Sequence, residues 1–190
     1  MRKYIILCTM IGYSFLSAQS IWKADVACSS LNFSISHLLF SEVSGSFANF
    51  YIEATANENF DTPSFTARIE TSSINTNNNK RDKDLRDKDY FDSTNYPYMD
   101  FKSTSYKKTG DKKFVLGGDL TIKGTTKYVE LEGKLNDITT DPQSNKLKAR
   151  LEFSGTIDRK QYNVGSSIIP MGDEAAITIH LEMVRQGVKL

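Results

Sequence analysis

Apolar and polar residues alternate along most of this chain, and a period of two leaves few folds open. Leu31-Phe33-Ile35, Phe65-Ala67-Ile69, Phe114-Leu116-Gly118-Leu120-Ile122, Val129-Leu131-Gly133-Leu135, Leu147-Ala149-Leu151-Phe153 and Ile177-Ile179-Leu181-Met183 all follow it. Successive side chains of a strand point to opposite faces, so these segments form strands with one buried face and one wet face. Turn-forming residues separate them at 57–63, 109–112, 123–125 and 141–145. About eight or nine strands joined by short hairpins predict an all-β fold, an antiparallel up-and-down β-barrel of about eight strands. A two-sheet sandwich is the alternative, because periodicity sets strands and not closure.

One stretch breaks the pattern. Lys80 to Asp89 is charged at every position except Leu85. Asn77-Asn78-Asn79 before it offers capping side chains. Asp82 with Arg86 and Asp84 with Lys88 have helical-neighbour spacing. The reading is a short surface lid helix, pinned by Leu85 and closed by Tyr90-Phe91. Tyr96-Pro97 then restarts the sheet. Leu38 to Glu42 is expected to form one helical turn.

The ends and the bulk composition bound the setting. Arg2 and Lys3 precede a mostly apolar run from Tyr4 to Leu16, and Ser17-Ala18 supplies small residues for cleavage. Residues 1–18 thus read as a signal peptide and 19–190 as one domain. The apolar run is shorter than the ~20 residues of a membrane span, so no integral membrane segment is expected after cleavage. The expected location is periplasmic or secreted. The full chain carries a net charge of +1, and loss of Arg2 and Lys3 leaves 22 basic against 23 acidic residues. A near-neutral domain gives no electrostatic reason to bind nucleic acid. Cys28 alone survives cleavage, which rules out an internal disulfide.

The order of motifs carries a resemblance. Trp22 with Asp25 is followed by Ser29-Ser30-Leu31-Asn32-Phe33-Ser34-Ile35-Ser36-His37 and Gly45-Ser46-Phe47. Next come Ile74-Asn75-Thr76, Arg81-Asp82 with Leu85, Phe91-Asp92, Tyr96-Pro97 and Phe101-Lys102-Ser103. Gly118-Asp119-Leu120-Thr121-Ile122-Lys123-Gly124, Thr126-Lys127 and Ile157-Asp158-Arg159 with Tyr162 complete the series. Together, over about residues 20–184, they resemble the YceI-like family. The resemblance implies an exported, lipocalin-like barrel that binds a long polyisoprenoid or related amphiphile, without catalysis, and in some members a homodimer. Departures lie at Cys28, Asp84, Tyr128 and Asn163, where the family more often has a polar residue or His, His, Pro and Gly.

The candidate ligand-binding residues are the inward set. Phe33, Ile35, Phe47, Phe65, Phe101, Phe114, Leu120, Leu131, Leu151 and Phe153 are assigned to the apolar tail, and His37 and Arg159 to the polar end. A filled core is the competing reading, because an eight-stranded barrel is just wide enough to be packed or to hold one slim ligand. Gly118, Gly133 and Gly155 on the inward register would remove side-chain volume or relieve strand bending. A buried Arg159 needs an acidic or anionic partner, from a strand-end ion pair or from a headgroup. His180 falls on the outward register.

Two His residues and no paired Cys leave a zinc or haem site without ligands, so no metal and no cofactor is expected. There is no Ser-His-Asp order, phosphate loop or nucleophile elbow, so an enzyme is not expected. The expected function is an exported lipid-binding protein that sequesters or carries an isoprenoid-type lipid, polyprenyl or quinone-like. The alternative is a ligand-free barrel serving as an envelope stress or protein-interaction module.

Overall fold

The computed structural model describes residues 19–37, 41–165 and 171–188. The segment read as a signal peptide lies outside them. The strands are β1 (Ser20–Ala24), β2 (Ser30–His37), β3 (Ser41–Phe47), β4 (Phe50–Ala56), β5 (Ser64–Glu70), β6 (Ile74–Asn75), β7 (Tyr98–Gly110), β8 (Lys113–Ile122), β9 (Thr125–Thr140), β10 (Leu147–Asp158) and β11 (Met171–Val188). One helix, α1 (Asn79–Arg86), lies between β6 and β7.

Every pairing is antiparallel, and the ring runs β1-β4-β5-β7-β8-β9-β10-β11 and back to β1. β2, β3 and β6 continue the first staves past short interruptions. β2 pairs with the first part of β11 and β1 with its last part. β3 pairs with β2 and β6, while β4 pairs with β1 and β5. The result is a closed antiparallel up-and-down barrel of eight staves. The sandwich alternative fails because β1 closes on β11.

Several expectations on local structure are corrected. Of the helical turn expected at Leu38 to Glu42, 38–40 lie outside the described residues, and Ser41 and Glu42 open β3 as strand. The strand expected from Ser64 to Ser73 breaks after Glu70 into a 3-10 turn, Thr71–Ser73. There the buried Thr71 hydroxyl donates to the Tyr96 carbonyl (2.9 Å). β7, β9 and β11 run further than alternation indicated, because bulges let a strand continue past a register slip. β9 carries Asn136 as an extra residue opposite the Arg150–Leu151 step. β7 slips between Ser103 and Ser105. Such bulges bend and coil a sheet, which helps it close.

The interior has two halves. Toward the β4–β5 turn and the β7–β8 hairpin, buried side chains pack against one another across it. Trp22 meets Phe60 edge-on (4.8 Å between centroids), Phe65 meets Phe153 (5.4 Å), and Phe114 meets Phe153 (5.8 Å). Leu116, Leu151, Leu181 and Met183 fill the spaces between them. Phe60 reaches this cluster from the turn, with φ of 59°. The Asn57 side-chain oxygen holds that turn by accepting from the backbone N–H groups of Asn59 and Asp61.

The inward glycines belong to this packing. A Cβ at Gly118 would stand 2.7 Å from the Phe101 ring, and one at Gly133 would collide with Phe114. The volume they give up is taken by rings from neighbouring strands. Gly155 likewise receives the Leu131 side chain, 2.7 Å from where its Cβ would lie.

Candidate ligand-binding cavity

The other half of the barrel is hollow. A cavity of about 550 Å³ lies between the aromatic floor and α1. This is within the 300–1,000 Å³ range of small-molecule sites. Its walls are apolar: Leu31, Phe33 and Ile35 from β2, Phe101 from β7, Leu120 and Ile122 from β8, Val129 and Leu131 from β9, and Ala175, Ile177 and Ile179 from β11. Each wall follows from strand alternation, since these residues are two apart along their strands.

The lid is built by hydrogen bonds. Asn78 caps α1, its side-chain oxygen accepting from the Arg81 N–H (3.1 Å). Asp82, 5% exposed, accepts from both the backbone N–H (2.8 Å) and the hydroxyl (2.5 Å) of Thr76. Arg81 donates through Nε to the Thr76 hydroxyl and through Nη2 to its carbonyl, both at 2.8 Å. Arg86 donates to the Ile74 carbonyl (2.9 Å). The expectation that Asp82 pairs with Arg86 on a solvated face is therefore corrected. Arg81 and Asp82 bind Thr76, just after β6, and Arg86 binds Ile74 of β6, and that holds the lid in place. Leu85, Tyr90 and Phe91 then face the cavity as its roof. Burial pushes the Tyr90 phenol up, so it faces the hollow as a neutral hydroxyl.

The β8–β9 hairpin helps to fix the roof. Lys123 (φ 50°) and Gly124 (φ 74°) take the left-handed conformations of a type I′ turn. That aims the Lys123 ammonium at the carbonyls of Lys88 (2.6 Å) and Asn163 (3.1 Å).

Arg159 is 6% exposed and lines the cavity at the end of β10. Its guanidinium donates to the carbonyls of Gly172 (2.8 Å), Val164 (2.8 Å) and Met171 (3.2 Å). Asp173, which is bound more closely by Lys160 (2.8 Å), lies 3.7 Å from Arg159. Of the two partners considered for a buried Arg159, the strand-end carboxylate is present, and the backbone carbonyls take most of its donors.

The candidate residues thus separate by level. Phe33, Ile35, Phe47, Phe101, Leu120, Leu131 and Arg159 line the hollow. Phe65, Phe114, Leu151 and Phe153 lie below it in the packed half. His37 ends β2 opposite Met171 and Ser41, and its side chain lies outside the described residues. His180 faces outward, half-exposed, 3.7 Å from Glu152. Sequence reasoning missed Met99, Ile122, Val129 and Ile157, although each lies two places from a named residue. It also left the lid's Leu85, Tyr90 and Phe91 out of the site, because contacts across a roof have no periodic signal. Away from the hollow, ligating atoms of Asp25, Cys28 and Glu182 come within 4.8 Å of one another. Asp25 there caps the Val26–Cys28 turn and Glu182 pairs with Lys148 (2.9 Å).

Comparison with known proteins agrees with this architecture. The model of the YceI-like domain matches residues 22–183. A UPF0312 protein of Photorhabdus laumondii is 37% identical over 75 residues, 40% of this chain and 38% of that protein. Protein YceI of Escherichia coli O157:H7 is 39% identical over 69 residues, 36% of each. The matched stretches span less than half the length of these relatives. Among solved structures, Burkholderia cenocepacia BcnA superposes with a TM-score of 0.75 at 22% identity, covering 84% of this chain and 98% of that one. The Campylobacter jejuni YCEI protein gives 0.71 at 24%, covering 98% and 99%. A polyisoprenoid binding domain from Saccharophagus degradans gives 0.67 at 12%, covering 88% and 99%. At these identities the superpositions show the fold.

Proposed function

The chain belongs to the YceI-like family, and from that premise we propose that it is an exported lipid-binding protein holding an isoprenoid-type amphiphile, polyprenyl or quinone-like, inside the barrel. The observation that carries this reading is the apolar hollow of about 550 Å³ above a packed floor. Burying hydrocarbon there gains roughly 0.8 kcal/mol per methylene, enough to hold a lipid without a strong polar contact. The Saccharophagus degradans neighbour, a polyisoprenoid binding domain by description, supports the ligand class. The hollow weighs against a barrel that acts only through its outer surface, which would gain nothing from an unfilled interior. The protein works by sequestration or carriage and not by turnover, in the periplasm or outside the cell.

Within the hollow, Phe33, Ile35, Phe47, Phe101, Leu120 and Leu131 solvate the tail. Arg159 stands at the polar end, where its engagement with carbonyls fixes its orientation. Organic extraction of protein purified from its own envelope, followed by mass spectrometry, tests the reading. An isoprenoid of several hundred daltons in the extract supports it. An extract free of lipid, from protein that also stays empty when offered quinones and polyprenols, overturns it.

A further inference from the structure

Most polar side chains around the hollow are already engaged. Each of the three guanidinium nitrogens of Arg159 donates to a backbone carbonyl. Arg81 is bound to Thr76, and the Asn32 amide donates to the Ser30 hydroxyl (3.0 Å). Glu42 is exposed. Tyr90 differs from all of these. It is half-buried and lines the hollow, and its hydroxyl has no hydrogen-bond partner among the described residues. Its place is fixed from two sides. Its backbone N–H donates to the Asp87 carbonyl (3.0 Å), and the Gly165 N–H donates to the carbonyl of Asp89 beside it (2.8 Å). A Cβ at Gly165 (φ 80°) would stand 2.8 Å from Arg159 Nη1 and 2.9 Å from the Tyr90 ring. Guanidinium and ring are therefore neighbours over that glycine.

We infer that the Tyr90 hydroxyl donates a hydrogen bond to the head of the bound amphiphile, and that this head presents an uncharged acceptor oxygen such as a ketone or quinone carbonyl. The inference rests on the lipid-binding reading. A ligand entering an apolar hollow displaces water, and the phenol is then left unpaired unless the ligand brings an acceptor. Burial pushes the phenol up against the opposing pull of the Arg159 charge, so the proton stays on the oxygen at neutral pH and is there to donate. A carbonyl oxygen, with its partial negative charge, also gains from the neighbouring guanidinium. That guanidinium holds no free fork for a phosphate, because its three nitrogens already serve carbonyls and Asp173 lies 3.7 Å away. The head thus lies under the lid beside Arg159, and the tail lies against the apolar walls.

The test compares the ketone geranylgeranylacetone with the hydrocarbon in which a methylene replaces its carbonyl, each displacing the dye anilinonaphthalene sulfonate from the purified protein. Tyr90→Phe keeps the ring and removes the hydroxyl. Because that hydroxyl has no partner within the protein, the urea midpoint of the variant stays at that of the parent. Its Kd for the ketone rises about fivefold, the worth of one neutral hydrogen bond, and its Kd for the hydrocarbon is unchanged. The infrared carbonyl stretch of the bound ketone, lowered by the bond in the parent, returns to its alkane-solvent value in Tyr90→Phe. An equal change for ketone and hydrocarbon, or a stretch that is the same in both proteins, overturns the assignment of Tyr90 and leaves the lipid reading standing. Geranylgeranyl phosphate binding the parent more tightly than the ketone overturns the uncharged head. Failure of all three probes to bind overturns the lipid reading and this inference with it.

Discussion

Phe65 and Phe153 meet edge-to-face across the barrel axis, 5.4 Å apart, within the packed half of an interior whose other half is hollow. The packed half stabilises the fold, and the hollow half is free to bind. An eight-stranded barrel is narrow enough for side chains to fill it. Here the buried cluster fills one half only, so one barrel serves both purposes.

Truncation should therefore cost different things at different levels. Phe153→Ala removes a ring packed on two others and should lower unfolding free energy by about 3–5 kcal/mol. Phe101→Ala, with its ring facing the hollow, should cost less stability and weaken lipid binding more. Urea denaturation and a binding titration on both variants check this, and equal losses of stability would count against the division.

Asp82 should act as a lid latch. Asp82→Ala leaves the buried N–H and hydroxyl of Thr76 without their shared acceptor, at a cost of about 2–3 kcal/mol. Amide exchange should accelerate across α1 and stay slow in β8 and β9. If the whole barrel loosens equally, the helix is an integral part of the fold and not a lid.

The turn after β9 should respond to acid. The Ser144 backbone N–H, with the Lys148 ammonium and the Gln143 N–H, holds the Asp141 carboxyl well below the usual carboxylate range. A depressed folded pKa gives stability that is present above the unfolded value, ~3.9, and is lost as pH falls toward the folded one. Asp141→Ala should thus be less stable than the parent at neutral pH, and the gap should close below about pH 4. Lys148, bridging Glu182 and Asp141, is raised instead. Its contribution is complete below the unfolded value of ~10.4 and is lost as pH rises above it. Denaturation midpoints across pH for Asp141→Ala and Lys148→Ala check the two signs.

Cys28 and His180 should be silent. Cys28 is exposed and His180 faces outward. Maleimide labelling of the native protein should go to completion, and neither Cys28→Ser nor His180→Ala should change lipid affinity. A loss of more than about tenfold from either variant, about 1.4 kcal/mol, would place a binding determinant outside the hollow.

The barrel was legible in the sequence because alternation is a local signal. Phe114-Leu116-Gly118-Leu120-Ile122 gives its inward face without knowledge of any partner. The level of each residue along the axis was not legible. Phe65 and Ala67 share one face of one strand, yet Phe65 packs among buried rings and Ala67 lines the hollow, depending on what stands opposite. The glycines misled for the same reason, since Gly118 and Gly133 open space only until Phe101 and Phe114 are placed against them. Charge patterning suggested ion pairs along α1. Burial of Asp82 against Thr76 is a contact between the helix and the residue that follows β6, which spacing within the helix does not reveal.

The most direct test of the central claim is to locate a bound isoprenoid. A prenyl alcohol of four units with a diazirine at its tail end is loaded into the purified protein, photolysed, and mapped by peptide mass spectrometry. Labels on Ala67, Leu131 or Ile179, with none on the outward Tyr51, Tyr98 and Tyr128, are the predicted result. Labels confined to those exposed tyrosines would mean that the lipid coats the barrel from outside, and would contradict the account.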